Sequence, residues 1–338
     1  MHIVYSDRHK RHDPPYEFVR DHMSPYSEAP ARIERLRAAL QKGGHTDFIE
    51  PRPYGPEPLN RVHDADYLHF IEHIFPAWVA AGRSSESIIP ETFANQAMAA
   101  RPDLLHRQPG YYCFDAQTPI VEHTWEVALT AAHAALTGAD LLLEGHSSAY
   151  ILCRPPGHHA GHALYGGYCY LNNAALAAAH LHSLGRIAVL DIDYHHGNGT
   201  QDIFYASDQV LVVSIHADPN RAYPFFSGYP SETGQGPGQG YNHNIALPPA
   251  IDDTAYLNAL DGALERIQAF APAALILSLG LDIYQGDPLG DFHVSLDAFG
   301  RIGTRISSLS LPTLIVQEGG YNIDEGGIAL INLLSAFN

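Results

Sequence analysis

The strongest constraint on the fold is an alternation of short apolar runs with amphipathic stretches along most of the chain. Apolar strands separated by helices predict an α/β fold with a mostly parallel central sheet, covered on both faces. The predicted strands are His2–Tyr5, Ala149–Cys153, Ile187–Asp193, Val210–His216, Ala274–Gly280 and Thr313–Val316. The predicted helices are Ala31–Gln41, Trp125–Leu143, Asn173–Leu184, Ala255–Phe270 and Leu296–Leu309. Sheets of this kind bind ligands beyond the carboxyl ends of their strands.

Composition and loop pattern predict one domain over residues 1–338. The chain is 46% hydrophobic and 17% charged, which suits a large core, and no linker-like composition break divides it. Two stretches, Ala80–Asp115 and Asp218–Tyr241, do not follow the alternation. Because long loops in compact domains are usually functional or mobile, we expect both at the rim of a site or at a subunit contact.

Charge and cysteine content limit the expected binding partners and the expected cellular compartment. The formal net charge of −18 predicts no binding to nucleic acid or to anionic membranes, and it weakly favours cationic ligands. No apolar run approaches the roughly 18 residues of a membrane span, and the N-terminus lacks a secretion signal. Three cysteines without a Cys-x-x-Cys pair predict no disulfide framework, so we expect a cytoplasmic protein.

One motif joins an apolar run to a cluster of acids and imidazoles. It reads Val189-Leu190-Asp191-Ile192-Asp193-Tyr194-His195-His196-Gly197-Asn198-Gly199-Thr200-Gln201-Asp202. Since side chains alternate along a strand, Asp191, Asp193 and His195 are expected to point the same way. Carboxylates and an imidazole at this spacing form half of a metal site.

Three further motifs each follow an apolar run. They are Arg154-Pro155-Pro156-Gly157-His158-His159-Ala160-Gly161, Leu279-Gly280-Leu281-Asp282 and Glu318-Gly319-Gly320-Tyr321. In each, glycine lets the backbone turn sharply or approach a ligand closely.

The four motifs together resemble the arginase–deacetylase family, in particular the metal-dependent deacetylases that include histone deacetylases and acetylpolyamine amidohydrolases. The resemblance covers almost the whole chain. The segments that look most like the acetylpolyamine branch are Gly167–Asn173, Asp218-Pro219, Tyr223-Pro224 and Asp287-Pro288.

The resemblance implies a metal site formed by Asp193, His195 and Asp282. Two carboxylates and one imidazole leave room for a water and a substrate carbonyl, as catalytic zinc requires. Zinc suits these ligands, although Fe²⁺ or Co²⁺ could replace it. The ordinary alternatives are a solvated turn for Asp193 and His195, and a helix N-cap for Asp282.

The resemblance also implies the catalytic groups. His158 and His159 are the tandem histidines of the family, and we expect His159 to be the main acid–base group. Asp191 is expected to hold the distal nitrogen of His158, and Asn198 that of His159. Tyr321 is expected to donate its hydroxyl to the oxyanion of the tetrahedral intermediate. The alternatives are a surface or core His-His pair and a Tyr packed beside a glycine turn.

Two further sets of residues enter through the resemblance alone. Gly166, Gly167, Tyr168 and Tyr223 are expected to line a narrow tunnel for an extended acyl-amine. Structural potassium is implied at two places. The first site comprises Asp191, Ser214 and the carbonyls of Asp193, His195 and Ile215; the second comprises Phe204, Ser207, Val210 and Tyr241.

The substrate follows less directly from the sequence. In the acetylpolyamine branch a long loop reaches across a homodimer, and acids at the mouth receive the ammonium groups of the polyamine. Glu17 matches one such acid, with an ordinary solvated carboxylate as the alternative, and Ala80–Asp115 looks like the loop. His106 and Gln117 stand where Glu is expected, which puts a preference for long polyamines in doubt; Asp115 and Glu91 are possible substitutes.

The predicted function is therefore a zinc amidohydrolase that releases acetate from acetylated polyamines or related small amines. A histone deacetylase-like enzyme acting on acetyl-lysine in proteins or peptides is the alternative within the same class. A catalytically inactive scaffold is a different class, and it is disfavoured because every ligand and Tyr321 are present. An arginase-type binuclear site needs bridging aspartates that Tyr194-His195-His196-Gly197 does not supply.

Overall fold

An eight-stranded sheet forms the centre of the computed structural model, which describes residues 1–19 and 21–337. Its strand order is β4-β1-β5-β10-β9-β6-β7-β8, and every neighbouring pair is parallel. The strands are β1 His2–Val4, β4 Phe48–Ile49, β5 Ser148–Ile151, β6 Ile187–Asp191, β7 Val210–Ala217, β8 Asn242–Leu247, β9 Ala274–Leu279 and β10 Thr313–Gln317. A separate antiparallel pair is formed by β2 Glu17–Val19 and β3 His22–Ser24. The predicted α/β fold with a parallel sheet is confirmed.

Helices cover both faces of the sheet. They are α1 Ala31–Lys42, α2 Glu57–Asn60, α3 Ala65–Ala80, α4 Pro109–Tyr112, α5 Thr124–Leu143, α6 Asn173–His180, α7 Asn198–Phe204, α8 Asp253–Phe270, α9 Leu296–Ser307 and α10 Gly326–Leu334. Short 3₁₀ helices occupy Asp7–Arg11, Leu105–Arg107, Leu181–Leu184, Gly236–Gly238 and Ser335–Phe337.

The alternation of side chains along the central strands builds two separate cores. In β6, Ala188 and Leu190 pack into the cluster beneath α1, α8, α9 and α10. Ile187 and Val189 point to the opposite face, where they pack with α5 and α6. Because both faces are covered, the strand is apolar without interruption, which explains its strong signal in the sequence.

Several elements escaped the sequence prediction. The strands β4 and β8, the β2–β3 pair and the helices α3, α7 and α10 were not predicted. The edge strand β8 carries Asn242 and Asn244, and only part of it is buried, so it lacks the apolar signature of a central strand. The end of β6 at Asp191, two residues earlier than expected, matters most because Asp193 and His195, for which a metal site is predicted, follow it.

One helix among the described residues, α5, is long and apolar enough to cross a membrane by length and composition. Inside the protein, however, 67% of its apolar window is buried. Its many alanines pack against the sheet and against α6, as expected of a core helix.

His63 links the loop before α3 to the loop before α6 and makes stability depend on pH. Its Nδ1 faces the Gly161 carbonyl at 2.9 Å, and its Nε2 accepts the Asn172 amide at 3.0 Å. This pairing requires the neutral ring, and burial lowers the pKa of His63 to about 4. The stabilisation is therefore complete above the ordinary pKa of 6.5 and is lost as the pH falls from there towards 4.

We expect the free energy of unfolding to fall between pH 7 and pH 5, with His63 contributing up to about 1.4 kcal/mol per pH unit. Urea titrations of the His63→Gln variant should show a shallower pH dependence than the parent. The exposed His182, replaced by Gln, is the control and should leave the slope unchanged. An unaltered slope in His63→Gln would contradict the assignment.

Candidate active site

The four sequence motifs meet because their strands are consecutive in the sheet. The order β5-β10-β9-β6 places the carboxyl ends of these strands side by side. The histidine motif follows β5, Tyr321 follows β10, Asp282 follows β9 and the Asp193–His195 segment follows β6. The site therefore lies where a parallel sheet is expected to bind its ligand.

Asp193, His195 and Asp282 come together as predicted. The Nδ1 atom of His195 lies 3.2 Å from Asp193 Oδ1 and 3.1 Å from Asp282 Oδ2. In a tetrahedral site with bonds of about 2.0–2.2 Å, ligand atoms stand about 3.3–3.5 Å apart. These two distances are thus close to the spacing that a small divalent cation imposes, and all three candidate ligand atoms lie within 4.8 Å of one another.

The same three residues suit a cation electrostatically. Both carboxylates are fully buried, and burial together with the Asp193 charge raises the pKa of Asp282 to about 7. A cation between them offsets this repulsion. Their remaining oxygens are engaged, since Asp193 Oδ2 accepts the Gly319 amide at 2.8 Å and Asp282 Oδ1 accepts the Tyr194 amide at 2.9 Å. The donor set therefore fits zinc or a similar divalent ion.

Two turns, rather than strand alternation, give Asp193 and His195 their positions. The Asp193 amide donates to Asp191 Oδ1 at 3.0 Å, and the His195 amide donates to Asp193 Oδ1 at 2.9 Å. Each aspartate side chain therefore accepts a hydrogen bond from the backbone amide two residues later and stabilises a turn, as Asp commonly does. The expectation that Asp191, Asp193 and His195 share one side of an extended strand was wrong, although all three reach the site.

The paired histidines have different partners, as predicted. His158 Nδ1 donates to Asp191 Oδ2 at 2.9 Å, and His159 Nδ1 donates to Asn198 Oδ1 at 2.7 Å. Burial alone lowers the pKa of His158, but the charges of Asp193 and Asp191 outweigh it and raise that pKa to about 10. Burial and the neighbouring His158 hold the pKa of His159 well below its usual range.

Only one histidine of the pair, His159, lines the open cleft above the metal ligands. The ring centroids of the two histidines are 4.0 Å apart, with His158 buried behind. Because Asn198 occupies Nδ1 of His159, its Nε2 is the nitrogen left for a reacting group. The geometry thus favours His159 as the acid–base group.

Tyr321 lies on the same cleft, on the loop after β10. Its amide donates to Asp287 Oδ2 at 2.6 Å, and the Arg32 guanidinium lies 4.5 Å from the centre of its ring. The Tyr168 ring stands 5.8 Å away from the Tyr321 ring, across the cleft. Tyr321 is therefore a cleft-facing phenol held from several sides, and it is not simply packed beside a glycine turn.

A cleft of about 640 Å³ opens above these residues. Gly167, Tyr168 and Tyr223 line it as predicted, and Phe225 adds a further aromatic wall. Gly166 does not belong to this lining; it packs against Phe114. Aromatic side chains therefore form part of the cleft wall above Asp193, His195 and Asp282.

Gly167 is a position where the site tolerates no side chain. Its φ is +56°, and a Cβ there would lie 2.1 Å from Cδ2 of His159. The following residue, Tyr168, also has a positive φ, of 67°. A non-glycine residue in this region is held by its surroundings, and such backbone strain concentrates at functional sites.

Glu17 lines the cleft, but it is not a solvated carboxylate. Only 1% of its surface is exposed, and Oε1 accepts the Ser27 hydroxyl at 2.6 Å. Burial raises the pKa of Glu17, whereas Ser27 and the nearby Tyr168 hydroxyl lower it. Among the described residues, Oε2 is a buried atom without a hydrogen-bond partner.

The long excursion from residue 80 to residue 115 supports the cleft from behind. Of the residues that the structure describes, none between 80 and 115 lines the cleft. Asp115, however, accepts the Gly167 amide and the Tyr223 hydroxyl, both at 2.7 Å. Gln117 does line the cleft, whereas His106 lies on the short 3₁₀ helix away from it. A dimer contact through this segment stays a prediction.

The residues expected to hold potassium are partly brought together. Strand pairing aligns Asp191 of β6 with Ser214 of β7, next to Ile215. The Ser214 hydroxyl, however, lies 2.8 Å from His216 Nδ1. At the second predicted site, the Phe204 carbonyl accepts the Ser207 amide at 2.9 Å. Val210 is the first residue of β7, and Tyr241 directly precedes β8. Both potassium assignments stay predictions.

Three carboxylates organise the site in ways that the sequence analysis did not predict: Glu318 and Asp287 were given no role there, and Asp115 was considered only as a substitute acid at the mouth. Glu318 is buried, and its Oε2 accepts the amides of Gly157 and His158 at 2.6 and 3.1 Å. Burial raises the pKa of Glu318 to about 7. The sequence signal for Glu318 was its place at the start of the Glu318-Gly319-Gly320-Tyr321 motif, but a carboxylate beside a glycine turn is also common on surfaces.

The fold and this constellation agree with the comparison to known proteins. The model of the histone deacetylase domain matches residues 26–336, so the chain belongs to the histone deacetylase domain family.

Individual relatives narrow the likeness further. Acetylpolyamine amidohydrolase 1 of Pseudomonas aeruginosa is 43% identical over 99% of this chain and 98% of that protein. The crystal structure of acetylpolyamine aminohydrolase from Burkholderia pseudomallei matches with a TM-score of 0.95 and 40% identity, over 100% of this chain and 98% of that one. A histone deacetylase-like amidohydrolase of P. aeruginosa is 31% identical over 92% of this chain and 77% of that protein.

Proposed function

We propose that the protein is a metal-dependent amidohydrolase that releases acetate from acetylated polyamines or related small acetylated amines. The observation that carries the proposal is the convergence of Asp193, His195 and Asp282 beneath a cleft faced by His159 and Tyr321. The near full-length likeness to proteins named acetylpolyamine amidohydrolases supports the choice of substrate class.

Asp193, His195 and Asp282 are proposed to hold Zn²⁺, with Fe²⁺ or Co²⁺ as substitutes. Such an ion, when bound, polarises the acetyl carbonyl and lowers the pKa of a water in the site. His159 is placed to accept a proton from the attacking water at Nε2, because Asn198 fixes its other nitrogen. His158, tied to the Asp191 carboxylate, supplies positive charge beside it.

Two further steps complete the reaction: the charge on the carbonyl oxygen is stabilised, and the departing nitrogen is protonated. Tyr321 donates its hydroxyl to the oxygen that gains charge as the carbonyl is attacked. The departing nitrogen then needs a proton, since an amide anion is a poor leaving group. His159 has just received one and returns it to the amine. The C–N bond breaks as this nitrogen is protonated, which gives acetic acid and the free amine. The remaining proton passes from acetic acid to the amine or to solvent and leaves acetate.

Glu17 is proposed to receive the ammonium group of the substrate. Its buried carboxylate lines the cleft and has a free oxygen, and a hydrogen bond between two charged groups is stronger than a neutral one. Asp291, which also lines the cleft, adds a second carboxylate and accepts the Tyr194 hydroxyl at 2.8 Å. Arg221 also lines the cleft, and its positive charge repels the several ammonium groups of a long polyamine. Together they favour a short acetylated amine.

The remaining assignments are proposals of the same standing. They include structural potassium at the two sites described above, a homodimer, and a cytoplasmic location. The free, buried thiols of Cys113, Cys153 and Cys169 support a reducing compartment. Turnover of acetylputrescine, acetylspermidine, acetylcadaverine and an acetyl-lysine peptide, measured side by side, tests the substrate class; a preference for the peptide would favour the histone deacetylase-like alternative.

We expect Glu17→Gln to raise the KM for acetylputrescine at least tenfold, because a charged hydrogen bond is worth about 1.5–3 kcal/mol. For a neutral acetyl-lysine reporter the KM should change little. Steady-state kinetics on both substrates provide the measurement, with Glu57→Gln, an exposed carboxylate paired with Arg61, as the matched control. Equal changes with both substrates would rule out cation binding by Glu17.

A further inference from the structure

Two arginines lie buried directly behind the catalytic loops. Arg154 begins the loop that carries His158 and His159, and it is 1% exposed. Arg32, 3% exposed, lies under the Tyr321 ring. Buried guanidinium groups are costly unless a counter-charge and hydrogen bonds compensate them.

Each arginine holds the backbone of one catalytic segment. Arg32 donates from Nε to the Gly320 carbonyl at 2.7 Å and from Nη2 to the Glu318 carbonyl at 2.8 Å. These carbonyls belong to the turn that presents Tyr321. Arg154 donates from Nη1 to the His9 carbonyl at 2.7 Å, which fixes the start of the histidine loop against the N-terminal segment.

A single carboxylate connects the two arginines. Oε1 of Glu28 accepts from Arg32 Nη1 at 2.7 Å and from Arg154 Nε at 3.0 Å. The Glu28 carbonyl also accepts from Arg154, at 3.1 Å from Nε and 2.5 Å from Nη2. Glu28 is fully buried, so water does not screen these contacts. The histidine loop, Arg154, Glu28, Arg32 and the Tyr321 turn thus form one continuous chain of contacts.

We propose that Glu28 is a positioning residue for catalysis: by joining Arg154 to Arg32, it fixes Tyr321 relative to the paired histidines. This inference rests on the proposed function, since it presumes that Tyr321 and His159 act on one substrate carbonyl. The carboxylate is needed for its charge as well as its shape. Without it, two buried cations face each other, and Arg32 loses the partner that holds it under Tyr321.

The test is the isosteric substitution Glu28→Gln, assayed on acetylputrescine. Displacing a catalytic group by about 1 Å can cost roughly 100-fold in rate, so we expect kcat to fall by about that factor while KM stays within about twofold. Glu34→Gln, on the helix α1 that carries Arg32, is the matched control. Glu34 contacts Tyr5 and His9 instead of the buried arginines, and its loss should leave both constants unchanged.

A double substitution separates positioning from general damage. If Glu28 acts through Tyr321, Glu28→Gln should lower the residual rate of Tyr321→Phe no further. Glu28→Asp retains the charge but is one methylene shorter, and it should recover part of the lost kcat. It also replaces Glu28→Gln in these comparisons if the latter does not fold. Unchanged kcat in Glu28→Gln, or an equal loss on top of Tyr321→Phe, would overturn the proposal. A wild-type protein that turns over no acetylated amine would instead reject the proposed function.

Discussion

Replacing His159 by Ala is expected to lower kcat about 10²- to 10⁴-fold, which is the usual contribution of a positioned acid–base group. Its imidazole is the one of the pair that lines the cleft, with Nδ1 fixed by Asn198. The metal ligands are separate residues, so the variant should bind as much zinc as the parent. Single-turnover rates on acetylputrescine, together with metal analysis of the purified protein, provide the measurement.

His158→Ala is the informative comparison for that experiment. His158 is buried behind its neighbour and hydrogen-bonded to Asp191, so its loss should cost less than the loss of His159. The exposed His182, replaced by Ala, serves as the neutral control. A His159→Ala enzyme with near-normal turnover, or a larger loss in His158→Ala, would show that the roles of the two rings have been assigned incorrectly.

The sheet was predictable wherever strands are buried on both faces. Strands such as β6 and β9 are uninterrupted apolar runs because helices cover each side of them. The edge strand β8 was not predictable, since Asn242 and Asn244 direct their amides to Gln201. Polar side chains on an edge strand can form hydrogen bonds with residues that are distant in sequence. A local sequence pattern does not reveal those partners.

The identity of the site residues was predictable from the family resemblance, but the geometry that holds them was not predictable from the sequence. Resemblance identified Asp193, His195 and Asp282, but the strand alternation used to orient the first two was wrong. The chain leaves the sheet after Asp191, and hydrogen bonds from backbone amides to aspartate side chains turn it towards Asp282. Two aspartates two residues apart can equally continue a strand or form such turns, so spacing alone did not decide between them.

The contacts that support the site could not be predicted from local sequence patterns. Glu28 meets Arg154 across 126 positions of sequence, and Glu318 meets Gly157 across 161. Each is a single carboxylate whose partner is brought near only after the sheet has formed. Sequence therefore indicated which groups react, whereas the means of holding them rigid emerged only from the fold.

The second large effect is expected for Tyr321→Phe, which removes one oxygen atom and leaves the ring in place. Losing a preorganised donor to a developing oxyanion typically costs about 10²- to 10³-fold in kcat. The KM should hardly change, because the hydroxyl is needed in the transition state more than in the bound substrate. The ring still packs over Arg32 and beside Tyr168, so folding should be retained.

Steady-state kinetics, zinc content and thermal melting, measured on the same preparation, test this expectation. Tyr111→Phe, on the helix α4, is the control for removing a phenol oxygen elsewhere. A fall in kcat with unchanged zinc content and melting temperature separates transition-state stabilisation from structural damage. If Tyr321→Phe instead raised KM and left kcat intact, Tyr321 would contact the bound substrate without stabilising the oxyanion, and the source of that stabilisation would have to be sought in the remaining cleft residues.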